Sequence, residues 1–146
     1  MDNNKENIKK IRRFNRFYLR MMGLFSQYDD QSTYSATEAM ILFEIHATEK
    51  CTASYLADYF LLDKGYISRL LKRLFKEGMI EKLPSKEDRR IQYLNMTEKG
   101  ERDLHELTKH ANANVENMIA GISEKEIDLL VQAMRQIEMI LKQNES

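Results

Sequence analysis

The sequence predicts a mainly α-helical fold that carries one small β-hairpin. Three observations point there. Only one Pro and five Gly interrupt 146 residues, of which 42% are hydrophobic and 32% charged, a balance that favours long helices over a sandwich or barrel. Apolar residues recur at three- and four-residue steps over most of the length. One stretch breaks that period: two short apolar runs, Met79 to Leu83 and Ile91 to Met96, flank a charged segment opened by Pro84. The length fits one compact domain, large enough to bury a core without metal or disulfide support. Cys51 is the single cysteine, which excludes an internal disulfide framework.

The elements follow in order. Residues 5 to 28 read as a long amphipathic helix, with Ile8, Ile11, Phe14, Tyr18, Met21, Phe25 and Tyr28 on one side. Asp29 to Ser32 reads as a loop. Ser35 and Glu38 have capping-box spacing, in which a hydroxyl and a carboxylate each satisfy an orphan backbone donor, and Ala39, Leu42 and Ile45 continue that helix. Thr52 caps a short helix bearing Leu56, Ala57 and Phe60. Asp63 caps the next, whose stripe is Ile67, Leu70, Leu71, Leu74 and Phe75 and whose stop is Gly78. After the two strands, Thr97 caps a long helix with Leu104, Leu107, Ala111, Val115, Met118 and Ile122. Ser123 and Glu126 form a second capping-box pattern ahead of Ile127, Leu130, Val131, Met134, Ile137 and Leu141.

Two short helices joined by a tight turn and followed by a charged hairpin give the order of a winged helix-turn-helix. The expected organisation is an N-terminal dimerisation helix and loop over 1–34, the winged helix-turn-helix over 35–100, and C-terminal dimerisation helices over 101–146. A helix lying in a major groove needs an apolar back and a polar, cationic front. Residues 63 to 77 satisfy both. Against the apolar stripe stand Lys64, Gly65, Ser68, Arg69, Lys72, Arg73 and Lys76. Arg69 is placed for bidentate contact with guanine, and Ser68 for base or phosphate. Lys72, Arg73 and Lys76 lie further back, where phosphate contacts position rather than specify. The hairpin tip adds Lys86, Asp88, Arg89 and Arg90, and an Arg at such a tip suits the negative potential of a narrow minor groove. Asp88, two residues before Arg90, reads either as a brace that fixes an Arg side chain for insertion or as an acid that keeps a surface turn soluble.

Net charge is zero but unevenly spread: +5 over residues 1–28, −5 over 29–62, +4 over 63–102 and −4 over 103–146. A basic central segment beside acidic ones suits an anionic partner on one face, and an ordinary solvated surface would show local clusters too.

The motifs also resemble a known family. Leu56-Ala57-Asp58, the run from Leu62 through Leu74, Lys76-Glu77-Gly78-Met79-Ile80, Asp88-Arg89-Arg90 and Leu94-Asn95-Met96-Thr97-Glu98-Lys99-Gly100 together resemble the MarR family of bacterial transcription regulators over about residues 35 to 102. The resemblance implies a homodimer that binds double-stranded DNA at a pseudo-palindromic operator and usually represses. It also implies Ser68 and Arg69 on the recognition helix, and Asp88 with Arg90 on the wing. A pocket for a small aromatic or anionic effector, between dimer region and reading head, is implied as well; Phe17, Met21, Phe43 and His46 are the candidate lining, although Met and aromatics at helical spacing also suit plain core. Oxidant-sensing members resemble one another in a cysteine on the first helix, and this sequence has none there, which disfavours peroxide sensing.

The terminal helices argue for dimerisation independently. Their stripes are too long for one small core to cover, and monomers rarely expose such patches. A two-fold axis would set two recognition helices about 34 Å apart, one turn of B-DNA. Folding back within one chain is the competing arrangement. No phosphate loop, nucleophile elbow or ligand cluster supports an enzyme. His46, His105 and His110 are too scattered for a metal site, and no cofactor is expected. The chain opens on polar, charged residues and holds no apolar run of spanning length, which leads us to expect a cytoplasmic protein with no membrane partner. The rival reading is a winged helix used for protein contacts alone, which should trade the cations of 63–77 for exposed apolar residues.

Overall fold

In a computed structural model, which describes residues 2–23 and 34–143, six helices and one hairpin follow in the order α1 (Asp2–Met21), α2 (Ala36–Ala47), α3 (Ala53–Phe60), α4 (Lys64–Lys76), β1 (Ile80–Pro84), β2 (Gln92–Met96), α5 (Glu98–Ile119) and α6 (Glu124–Lys142). The expected course of the first helix beyond residue 23, with Phe25 and Tyr28, and the loop at Asp29–Ser32 lie outside the described residues.

Caps explain where these helices begin. Ser35, Thr52, Asp63, Thr97 and Ser123 each accept backbone N–H groups of the first turn that follows. The Ser35–Glu38 capping box is complete: Glu38 N donates to Ser35 Oγ at 3.2 Å and Ser35 N donates to Glu38 Oε1 at 2.9 Å. The Ser123 box forms only in half. Glu126 N donates to Ser123 Oγ, but the Glu126 carboxylate takes the Ser123 hydroxyl instead of the backbone donor. The turn between α3 and α4 runs through Leu61 in the left-handed region (φ 55) with its side chain 84% exposed. Gly78 (φ 74) reverses the chain after α4, letting Met79 N reach Leu74 O at 3.0 Å.

β1 and β2 pair antiparallel from Ile80↔Met96 to Pro84↔Gln92, one residue later at their starts than the sequence suggested. Pro84 falls at the strand end, where its missing N–H is harmless. Cys51 extends the sheet through a bridge to Leu94, whose N donates to Cys51 O at 2.7 Å.

The core is central. Ile41, Leu42, Cys51, Leu56, Ile67, Leu74 and Met79 are fully enclosed, and Leu104 and Leu107 on α5 close it. The apolar stripe expected on α5 is therefore buried only over its first turns, and Val115 is half exposed. Helix α6 buries no residue at all. On α1, Ile8, Ile11, Phe14, Phe17 and Met21 all stand exposed.

Candidate nucleic-acid interface

Helix α4 is held by its N-cap and its back. Asp63 Oδ2 accepts from Gly65 N at 3.1 Å and Tyr66 N at 3.3 Å, which fixes the first turn. Ile67, Leu71 and Leu74 are buried, and Leu70 and Phe75 pack partly against the same core. Lys64, Gly65, Ser68, Arg69, Lys72 and Lys76 are accordingly left on the exposed face. The guanidinium carbon of Arg69 lies 5.8 Å from the Tyr66 ring centroid one turn earlier, a cation–π contact that limits its rotamers. Sequence reading passed over Tyr66; the signal was an aromatic three residues before an exposed Arg.

Arg73 behaves differently from the cations around it. Its Nη1 donates to both carboxylate oxygens of Glu38, and its guanidinium lies 5.6 Å from the Tyr34 ring centroid. Burial pushes the Glu38 carboxyl up, but the Ser35 N–H and Arg73 together overcome this and leave it below the usual carboxylate value. Arg73, expected among the phosphate-facing cations, is thus paired with Glu38 while its side chain stays 43% exposed.

The hairpin tip is built on Ser85, which is buried. Its hydroxyl accepts from Glu87 N at 3.2 Å and Asp88 N at 3.3 Å. Asp88 Oδ1 then accepts from Arg90 N at 3.0 Å and Arg90 Nε at 3.1 Å, and Asp88 Oδ2 accepts from Arg90 Nη2 at 3.1 Å. The geometry is that of the brace, with the Arg90 side chain 90% exposed on the outside of the turn. The Arg90 contact holds the Asp88 carboxyl below its ordinary value. Lys86 and Arg89 are exposed beside it. A groove of about 340 Å³ joins helix to wing, with Ser68 and Lys72 on one side and Lys82 and Gln92 on the other. Lys82, which rests 5.1 Å from the Phe75 ring centroid, went unnoticed in the sequence because alternation along a strand gives no hint of what it faces.

The expected effector lining is not gathered within one chain. Phe17 and Met21 are exposed on α1, and Phe17 shares a surface depression with Lys10, Arg13 and Phe14 of its own helix rather than with Phe43 or His46. Phe43 packs partly against the core, and His46 Nδ1 lies 3.2 Å from Glu101 Oε1. Among the described residues no three His, Cys, Asp or Glu side chains group as metal ligands, and no helix is long and apolar enough to cross a membrane.

Residues 34–92, which contain α2, α3, α4, β1 and the hairpin tip, match the model of the MarR family. The likeness to the MarR family thus covers the helix-turn-helix and the start of the hairpin. MarR-family proteins are transcriptional regulators rather than enzymes. Among similar relatives, the HTH-type transcriptional regulator SarZ of Staphylococcus haemolyticus is 27% identical over 113 residues, which is 77% of this chain and 76% of SarZ. The HTH-type transcriptional regulator MhqR of Bacillus subtilis is 26% identical over 88 residues, 60% of this chain. The match spans 61% of the length of MhqR. A mutant MarR from E. coli, solved in complex with operator DNA, has the same fold, with a TM-score of 0.75 at 20% identity over 90% of this chain and 95% of that one.

Proposed function

We propose that this chain is a sequence-specific regulator of the MarR family that binds double-stranded DNA as a homodimer and represses from a pseudo-palindromic operator. The observation that carries the reading is the pairing of a rigid, cation-fronted α4 with a wing whose Arg90 is pre-set by Asp88. Arg69, Ser68 and Lys64 occupy the early turns that reach base edges, and Lys72 and Lys76 suit phosphates. Retention of these cations, with Tyr66 the one large hydrophobic exposed among them on α4 and lying against Arg69, weighs against a module reserved for protein contacts.

The surface favours a dimer. A folded monomer of 17.3 kDa is expected to expose about 7,800 Å², whereas this chain exposes 11622 Å². Large apolar residues stand in solvent on α1, α5 and α6, where Ile8, Ile11, Phe14, Val115, Leu129 and Ile140 are half exposed. A second copy would cover them and repeat α4 about 34 Å away. Release by a small aromatic or anionic effector completes the proposal and rests on the family likeness.

The test is selection of bound duplexes from a random pool. A two-fold symmetric consensus with half-sites about one helical turn apart is expected. A monomer at micromolar concentration, or a pool with no enriched sequence at low salt, would overturn the reading.

A further inference from the structure

We propose, on the basis of the DNA-binding reading above, that Arg73 is a positioning residue: it locks the roll of α4 to the buried Glu38 at the start of α2. The Glu38 side chain is 5% exposed and that of Arg73 43%. The two are 35 residues apart, so the pair ties two helices together and is no local turn. Three elements of chain meet there: Tyr34 over the guanidinium, the Ser35–Glu38 cap, and the last turn of α4.

Arg73 is not at liberty to reach a phosphate. Swinging outward would leave Glu38 a buried carboxylate with Ser35 but no cation beside it, and an unpaired buried charge is strongly disfavoured. The capping box raises the stakes, because the same Oε1 that accepts from Ser35 N also accepts from Arg73. Loss of Arg73 would therefore disturb the start of α2 as well as the seating of α4.

The lever is geometric. Ser68 and Arg69 ride on the same thirteen-residue helix as Arg73. A rotation of about 15° about its axis moves a side-chain tip, roughly 6 Å from the axis, by about 1.6 Å. That displacement removes a hydrogen bond to a base edge, whose useful range is narrow. Long lysines facing phosphates tolerate it. Unlocking α4 should consequently cost discrimination between sequences, with the electrostatic attraction to any duplex unchanged.

Fluorescence anisotropy with the selected operator and with an unrelated duplex, over a range of salt, tests this in the full-length protein carrying Glu38→Gln, Arg73→Lys or both. Each single variant should lower the ratio of specific to non-specific affinity about tenfold, with the double variant little worse than either. The salt slope should stay that of the wild type, because no phosphate contact is lost. A phosphate-binding Arg73 makes opposite predictions: Arg73→Lys would preserve the ratio, and Glu38→Gln would leave or raise affinity by freeing the guanidinium. Either result overturns the lock. Loss of helical signal in the isosteric Glu38→Gln would assign the pair to bare stability and overturn it too. A wild-type protein with no sequence preference defeats the DNA reading itself, whereas a wild-type preference untouched by Glu38→Gln defeats only the lock.

Discussion

Gly100 offers the sharpest test of how the reading head is joined to the long helix α5. A Cβ at this position would stand 2.1 Å from Met79 O and 3.0 Å from Met79 C, backbone atoms that cannot rotate away. The same carbonyl accepts from Thr97 N at 3.1 Å, and Thr97 Oγ1 both accepts from Gly100 N at 3.0 Å and donates to Gly78 O at 2.5 Å. Opening the contact to an ordinary separation moves the start of α5 by more than an ångström, which removes two hydrogen bonds worth about 1 kcal/mol each. Residual crowding adds about 1 kcal/mol, and the better helix propensity of Ala returns about 1 kcal/mol. Gly100→Ala should therefore destabilise by about 2 kcal/mol, a fall in Tm of about 4–8 °C for a chain of this size. Thermal unfolding followed by circular dichroism, at one fixed protein concentration because a dimer links stability to concentration, measures it. A Tm equal to or above wild type would show that propensity decides and that the close approach is not a constraint.

The other expectations are narrower. Arg69→Ala should cost ~1–3 kcal/mol on the cognate site and relax preference at one base pair; equal loss on every duplex would reduce Arg69 to a phosphate contact. Asp88→Ala removes an acid from a surface meant for DNA, yet it should weaken operator binding about threefold because Arg90 loses its three-point hold. Tighter binding by anisotropy would reject the brace. Cys51 is fully buried, and burial, with a smaller push from Glu44, raises its thiol to about 11 from 9.0. Alkylation by iodoacetamide at pH 8 should be negligible in the folded protein and prompt in urea; rapid native labelling would refute the burial. The unfolded thiol ionises first as pH rises, so this group's contribution to stability is complete below about 9 and is lost as pH climbs towards about 11.

Much of the fold was legible because its signals are local. Every helix start after α1 was marked by a Ser, Thr or Asp whose side chain needs only the next turn to do its work, and Ser35, Thr52, Asp63, Thr97 and Ser123 all cap as read. The Asp88–Arg90 brace was legible for the same reason, spanning two residues. What escaped was non-local. Nothing around Arg73 distinguishes it from Lys72 or Lys76, and only packing of α4 against the start of α2 brings Glu38 to it. The bridge from Cys51 to Leu94 likewise joins segments with no shared periodicity. Leu61 hid a left-handed turn because no Gly marked it. The expected effector lining was legible only in part: spacing puts Phe17 and Met21 on one face of α1 but says nothing about whether that face meets Phe43.

Side-chain pairings, local and non-local, also bear on how a chain of zero net charge can offer a basic surface. Acids near the reading face are largely engaged. Asp63 spends its carboxylate on the N–H groups of Gly65 and Tyr66, Asp88 on Arg90, and Glu38 on Arg73. Each fixes the position of something that DNA would meet, so removing the acid loses more in order than it gains in charge. Lys64, Arg69, Lys72, Lys86 and Arg89 remain turned to solvent. Attraction to any duplex grows with the phosphates neutralised, and a modest set of outward cations keeps that common term small. On the proposed reading, discrimination then comes from where Ser68, Arg69 and Arg90 are held, so that the aim of α4 and the wing, rather than their charge, governs sequence choice.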